Sequence, residues 1–138
     1  MVAPYNSFLS PQTIKASTCE LTTANVNYDA PAVGAALVLL FTAGARGARI
    51  LRVSAIPRET VADTQLQLFR DGNGAGVSMR FFKSAKMASY AMATGTEAPT
   101  TDFGYSDDNP LILAAGEKIY AATALSKKIT VNAEGADY

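Results

Sequence analysis

From about residue 48 onward, stretches in which apolar and polar residues alternate recur along the chain, and this period of two is what most limits its fold. Successive side chains of a strand point to opposite faces, so alternation marks a ribbon with one face buried and the other in water. In Leu51 to Ala55, the residues Leu51, Val53 and Ala55 share one face, while Arg52 and Ser54 share the other. Gln65-Leu66-Gln67-Leu68 and Val77-Ser78-Met79-Arg80-Phe81 repeat the pattern. No stretch carries a convincing 3.6-residue helical period, so the fold class expected is all-β.

The last two of these strands pair by arithmetic. Between them, Asp71-Gly72-Asn73-Gly74-Ala75-Gly76 is rich in residues that tolerate positive φ. With Arg70 facing Val77, Leu68 faces Met79 and Leu66 faces Phe81 on the inner side, and Gln67 lies opposite Arg80 outside. Phe69 and Phe82 fall on the outer face of this hairpin, which points to a partner or a second sheet covering it. Pro110 to Leu113 and Lys118 to Thr123 flank Ala114-Ala115-Gly116-Glu117 as a second hairpin, and a last strand runs through Ile129, Val131 and Ala133. Upstream, the apolar run Ala36 to Thr42 suits a strand covered on both sides, Gly44-Ala45-Arg46-Gly47 turns it back into a strand starting near Arg49, and Leu21 to Tyr28 is a weaker strand. About eight short strands with glycine turns predict an antiparallel β-sandwich of jelly-roll type.

Two stretches stand outside that pattern. Residues 1–20, with Pro4 and Pro11, read as an extended N-terminal arm, which leaves residues 21–138 as a single sandwich domain. Ala88 to Asn109 lacks alternation and forms one long loop, of a length usual only for loops that bind something or have order of their own. A length of 138 residues, 49% hydrophobic and 17% charged, suits one globular domain. The uncharged run Ala30 to Ala45 is shorter than the roughly 20 residues of a membrane-spanning helix and is broken by Pro31, Gly34 and Gly44, so no membrane is expected.

Chemistry is narrowed by what the chain lacks. It has no histidine, which removes histidine-based triads and histidine-containing zinc sites, and its single cysteine, Cys19, can close no internal disulfide. Cys19 reads as a small, partly buried apolar residue. The Asp71 loop opens like a calcium loop, but Ala75 and Phe82 stand where further oxygen ligands are needed. Asp107-Asp108-Asn109 before Pro110 reads as the start of a turn. No enzyme activity, no metal and no cofactor are expected.

Charge is balanced, with 12 bases and 12 acids, yet it is segregated. Thr42 to Tyr90 holds Arg46, Arg49, Arg52, Arg80 and Lys83 among its bases, with Phe82 beside them, whereas Ala91 to Glu117 holds acids and no base. A zero net charge supplies no field for nucleic acid, and neither a recognition helix nor an RNP-type motif accompanies these bases, so no nucleic acid is expected. Two readings of the segregation stay open. Strand faces and loops simply differ in charge, or the long loop of one subunit, with Phe103, Tyr105, Asp107 and Asp108, meets the basic face of another through complementary potential. Phe103 and Tyr105 are also suited to stacking on a sugar ring.

The second half resembles the small β-rich virion proteins of tailed bacteriophages, of the head decoration or cement type. The resemblance is carried by the strand Leu66 to Gly72 with its Asp-Gly turn, a loop with Pro99, the segment Pro110 to Ala121 and the terminal Asn132-Ala133-Glu134-Gly135-Ala136-Asp137-Tyr138. It covers roughly residues 47–138. It implies a non-enzymatic capsid decoration protein in the virion, a homo-oligomer with a trimer favoured, which reinforces the shell by contact with the major capsid protein or another virion protein. A tail-associated or carbohydrate-binding module in host attachment is the alternative implied.

Overall fold

The computed structural model describes residues 13–29, 31–76 and 79–138. Among them are nine strands: β1 (Thr13–Leu21), β2 (Val38–Thr42), β3 (Ala48–Pro57), β4 (Thr64–Asp71), β5 (Met79–Met87), β6 (Thr101–Asp102), β7 (Leu111–Leu113), β8 (Lys118–Thr123) and β9 (Ile129–Asp137). The first sheet runs β1-β9-β3-β6, with β7 also on β3, and the second runs β2-β8-β4-β5. The named pairs are all antiparallel and nested: β1 with β9, β2 with β8, β3 with β6 and β7, and β4 with β5. A long hairpin rolled across two sheets has this order, so the protein is an antiparallel β-sandwich with jelly-roll topology.

The main core joins the two sheets. Leu21, Ile50, Val53, Ile129 and Val131 of the first belong to one buried cluster with Leu40, Phe41, Leu66, Leu68 and Ile119 of the second. A second cluster, Leu37, Phe69, Met79, Tyr120 and Ala122, lies on the other face of the second sheet, since these strand residues alternate with core residues. The chain between β1 and β2 covers that face. Tyr28 packs on Phe81 at 5.1 Å between ring centroids, and Phe81 in turn on Phe69 at 5.4 Å.

Several sequence expectations change here. Residues 13–20 of the expected arm belong to β1, whose nine-rung ladder with β9 buries Cys19 and Leu21; residues 1–12 lie outside the described residues. Beyond Leu21, the stretch to Tyr28 forms no strand and is tied down by the Asn25 amide donating to the Thr123 carbonyl. The β4–β5 hairpin pairs Asp71 with Met79 and Phe69 with Phe81, and then Leu68 with Lys83 and Leu66 with Ala85. An extra residue, Phe82, enters between the two ladders, so Phe82 turns toward the main core while Phe81 takes the outer position. In β3 a bulge between Ile50 and Arg52 resets the alternation in the same way, making Ala48 and Ile50 the partners of Val53 and Ala55 inside and leaving Leu51 half-buried. Finally, β7 and β8 are not a hairpin: the turn between them carries the chain from one sheet to the other.

Candidate functional site

The sequence-selected residues gather in part on the flank where β4, β5, β7 and the long loop meet. Arg70 lies near the end of β4, and Glu117 leads into β8. The guanidinium donates Nε to Glu117 Oε2 at 2.6 Å and Nη2 to Oε1 at 2.9 Å, and Nη2 also reaches the Ile112 carbonyl at 2.9 Å. The Ala114 amide donates to the same carboxylate at 2.9 Å. This is a bidentate pair with geometric specificity as well as charge.

Its electrostatics follow from the geometry. Burial alone would raise the Glu117 pKa, but the Arg70 hydrogen bonds, the Ala114 amide and the Arg70 charge outweigh it and hold the group below its ordinary 4.5. The hydrogen bond to Glu117 raises the Arg70 pKa against its own burial. The Arg70 guanidinium also sits 5.3 Å from the Phe82 ring centroid, and Lys83 Nζ lies 5.6 Å from that of Tyr105. Burial pushes the Tyr105 phenol up, against the nearby Arg70 charge. Arg70 therefore stays charged, and Tyr105 stays protonated at neutral pH. Neither is poised to exchange a proton there, and the arrangement fastens the turn and the long loop to the second sheet.

The remaining selected residues are divided. Arg49 donates Nη2 to the Asp107 carbonyl at 2.9 Å and approaches the Asp107 carboxylate at 3.5 Å, and Arg52 lies 4.0 Å from Asp102. Basic strand and acidic loop thus already meet within one chain, a third arrangement beside the two readings of the charge segregation. Phe103 is 3% exposed in the main core, so its ring cannot stack on a sugar, while Tyr105 is half-buried against the same core. Asp107 and Asp108 are exposed, as are Arg46 in the Gly44–Gly47 turn and Arg80 on β5, whose guanidinium donates to its own Met79 carbonyl. Among the described residues no three Cys, Asp or Glu side chains converge on a metal position.

Three concavities among the described residues are shallow and open. One of about 230 Å³ lies beside Arg70, Gly72, Arg80 and Glu117, and one of about 410 Å³ beside Asp63, Gln65, Ser84 and Lys86; neither is lined by an aromatic ring. Cys19 is buried, and that burial, with Glu20 beside it, pushes its thiol up to about 12. It is inert as a nucleophile near neutral pH.

A polar cluster over the second sheet, buried at Asn25 and Gln67, escaped the sequence. Asn25 Nδ2 donates to Gln67 Oε1 at 2.9 Å, Gln67 Nε2 donates to the Asn25 carbonyl at 3.1 Å, and the Tyr28 hydroxyl donates to Gln65 Oε1 at 2.6 Å. Alternation assigns Gln65 and Gln67 to solvent, and Asn25-Val26-Asn27 was the sole hint of a polar segment able to answer them.

No family model matches the chain, and no curated protein matches it. Among solved structures it is similar to the Eiger TNF of S. frugiperda, with 11% identity, a TM-score of 0.46, and coverage of 92% of this chain and 96% of that one. The jelly-roll assignment rests on the strand order itself.

Proposed function

We propose that the protein is a non-enzymatic virion subunit, a decoration protein that self-associates and reinforces a phage capsid by contact with the major capsid protein. The observation that carries this reading is the unequal treatment of the two outer sheet faces. The second sheet is covered by the protein's own chain, which itself exposes Val26, Tyr28 and Val33, whereas the first sheet meets solvent directly and presents Ile14, Ile112 and Ile56, exposed at 93%, 51% and 38%. Thr18, Ser54, Thr130 and Asn132 share that face with the charged Arg52 and Glu134, a mixed polar surface suited to a broad, shallow contact. Such a surface supports adhesion across an area better than it supports a pocket-bound substrate.

The test is co-sedimentation with purified capsids, with light scattering of the free protein alongside. Saturable binding that Arg52→Glu or Ile112→Asp weakens supports the reading. A strictly monomeric protein that leaves shells unbound overturns it. The carbohydrate-binding alternative is less well supported, because it loses Phe103 to the core.

A further inference from the structure

The ladder between β4 and β5 sets two arginines, Arg70 and Arg80, directly opposite one another. Like charges in that position repel and destabilise the strand pair unless an anion compensates them. The chain supplies one such group, Glu117, and gives it to Arg70: Nε and Nη2 of Arg70, together with the Ala114 amide, take both of its oxygens. Asp71, the next residue along β4, points to the opposite face of the sheet, where its carboxylate accepts from the Gly76 amide. All 12 acids of the chain fall among the described residues, and none forms an ion pair with Arg80.

Both arginines line the open concavity of about 230 Å³, with Gly72 and Glu117 beside them. Hydrogen-bond donors remain unused there. Arg80 donates Nη1 to its own Met79 carbonyl, and Arg70 donates Nη2 to the Ile112 carbonyl as well as to Glu117. Arg70 Nη1 and Arg80 Nε and Nη2 meet no acceptor among the described residues.

Charge selects what can fill the place. Arg70, Arg80 and Glu117 together leave one positive charge uncompensated, and a carboxylate neutralises it. A phosphate, with up to about two negative charges, exceeds that requirement and is repelled the more by Glu117. The planar guanidinium fork also matches the two oxygens of a carboxylate, which it can hold bidentately.

We propose that the opposed arginines Arg70 and Arg80 form a binding site for a single carboxylate group, carried by a free small acid or by an acidic side chain of another polypeptide. The site stands whether or not the protein binds a capsid. Two-dimensional NMR of the ¹⁵N-labelled full chain tests it, with sodium acetate replacing sodium chloride at constant ionic strength and neutral pH. The Nε signals of Arg70 and Arg80 should shift saturably, with weak affinity, because a pair so open to water is screened. Arg80→Gln, at an exposed position, should fold as the wild type does and lose the saturable shift. Lys86→Gln, which removes a cation of the same strand already paired with Asp63, should leave it unchanged. A blocked Gly-Glu-Gly peptide and sodium phosphate serve as further ligands. Tighter binding of the peptide than of acetate supports the site with a polypeptide side chain as its source, and equal binding supports it with a free acid as the source. Shifts no larger than in chloride, tighter binding of phosphate than of either carboxylate, or a saturable shift that survives Arg80→Gln overturns the proposal. Should Arg80→Gln lose its fold, the wild-type signals decide: acetate shifts at both arginines support the site, and a shift at Arg70 alone or at neither overturns it.

Discussion

Gln67 and Asn132 occupy equivalent places, each a polar residue on the outer face of a central strand, yet one is wholly buried and the other is partly in water. The difference does not arise in their own strands. It comes from the chain between β1 and β2, which lies over the second sheet and supplies Asn25 and Tyr28 as polar partners and Leu37 as apolar cover. The first sheet receives no such cover among the described residues. A sheet face is thus made core or surface by a remote segment, and the two faces of this sandwich have correspondingly different stakes in stability.

That contrast can be broken most forcefully at Phe69. Phe69→Ala should cost about 3–5 kcal/mol in urea unfolding, as for a ring removed from a main core. A loss below about 1 kcal/mol would mean that the cover contributes little. The seam between the sheets should come next. Arg70→Ala leaves Glu117 buried without its cation and should cost about 2 kcal/mol, less than a fully buried pair because Arg70 is 33% exposed. Because the Glu117 pKa is lowered on folding, the stability from this pair is present above its ordinary 4.5 and is lost as pH falls through the folded-state value. Glu117→Gln should accordingly flatten the acid limb of a plot of unfolding midpoint against pH.

The finer comparison is between the two polar residues themselves. Gln67→Ala takes two buried hydrogen bonds from Asn25 in the cover and should cost about 1.5 kcal/mol. Asn132→Ala, which loses an exposed bond from Thr18, should stay within about 0.5 kcal/mol of the wild type. Equal effects in the same denaturation assay would remove the distinction between the covered face and the bare one.

How far these sites were legible depends on how local their causes are. The alternation at Val53 and Ala55, at Leu66 and Leu68, and at Ile129, Val131 and Ala133 corresponds to buried rows in the structure. At β1 the proline-rich start masked a similar row, Cys19 and Leu21 inside with Thr18 and Glu20 outside. Bulges defeated the same reasoning, because one inserted residue at Leu51 or Phe82 reverses the face of everything beyond it without leaving a mark in composition. The segregated charge was visible along the chain. That Arg49 would meet Asp107, or that Arg70 would meet Glu117, was not, since each pair spans tens of residues brought together by the roll of the hairpin.

By itself, the sequence determined an all-β chain, the positions of most of its strands and the absence of histidine chemistry, because side-chain alternation and residue identity act locally. Only the tertiary structure decided which strands are neighbours, where the bulges fall and which outer face is covered. Those depend on contacts between residues far apart in the chain, and hydrophobic burial, being non-directional, does not specify such partners until backbone pairing and packing select among them.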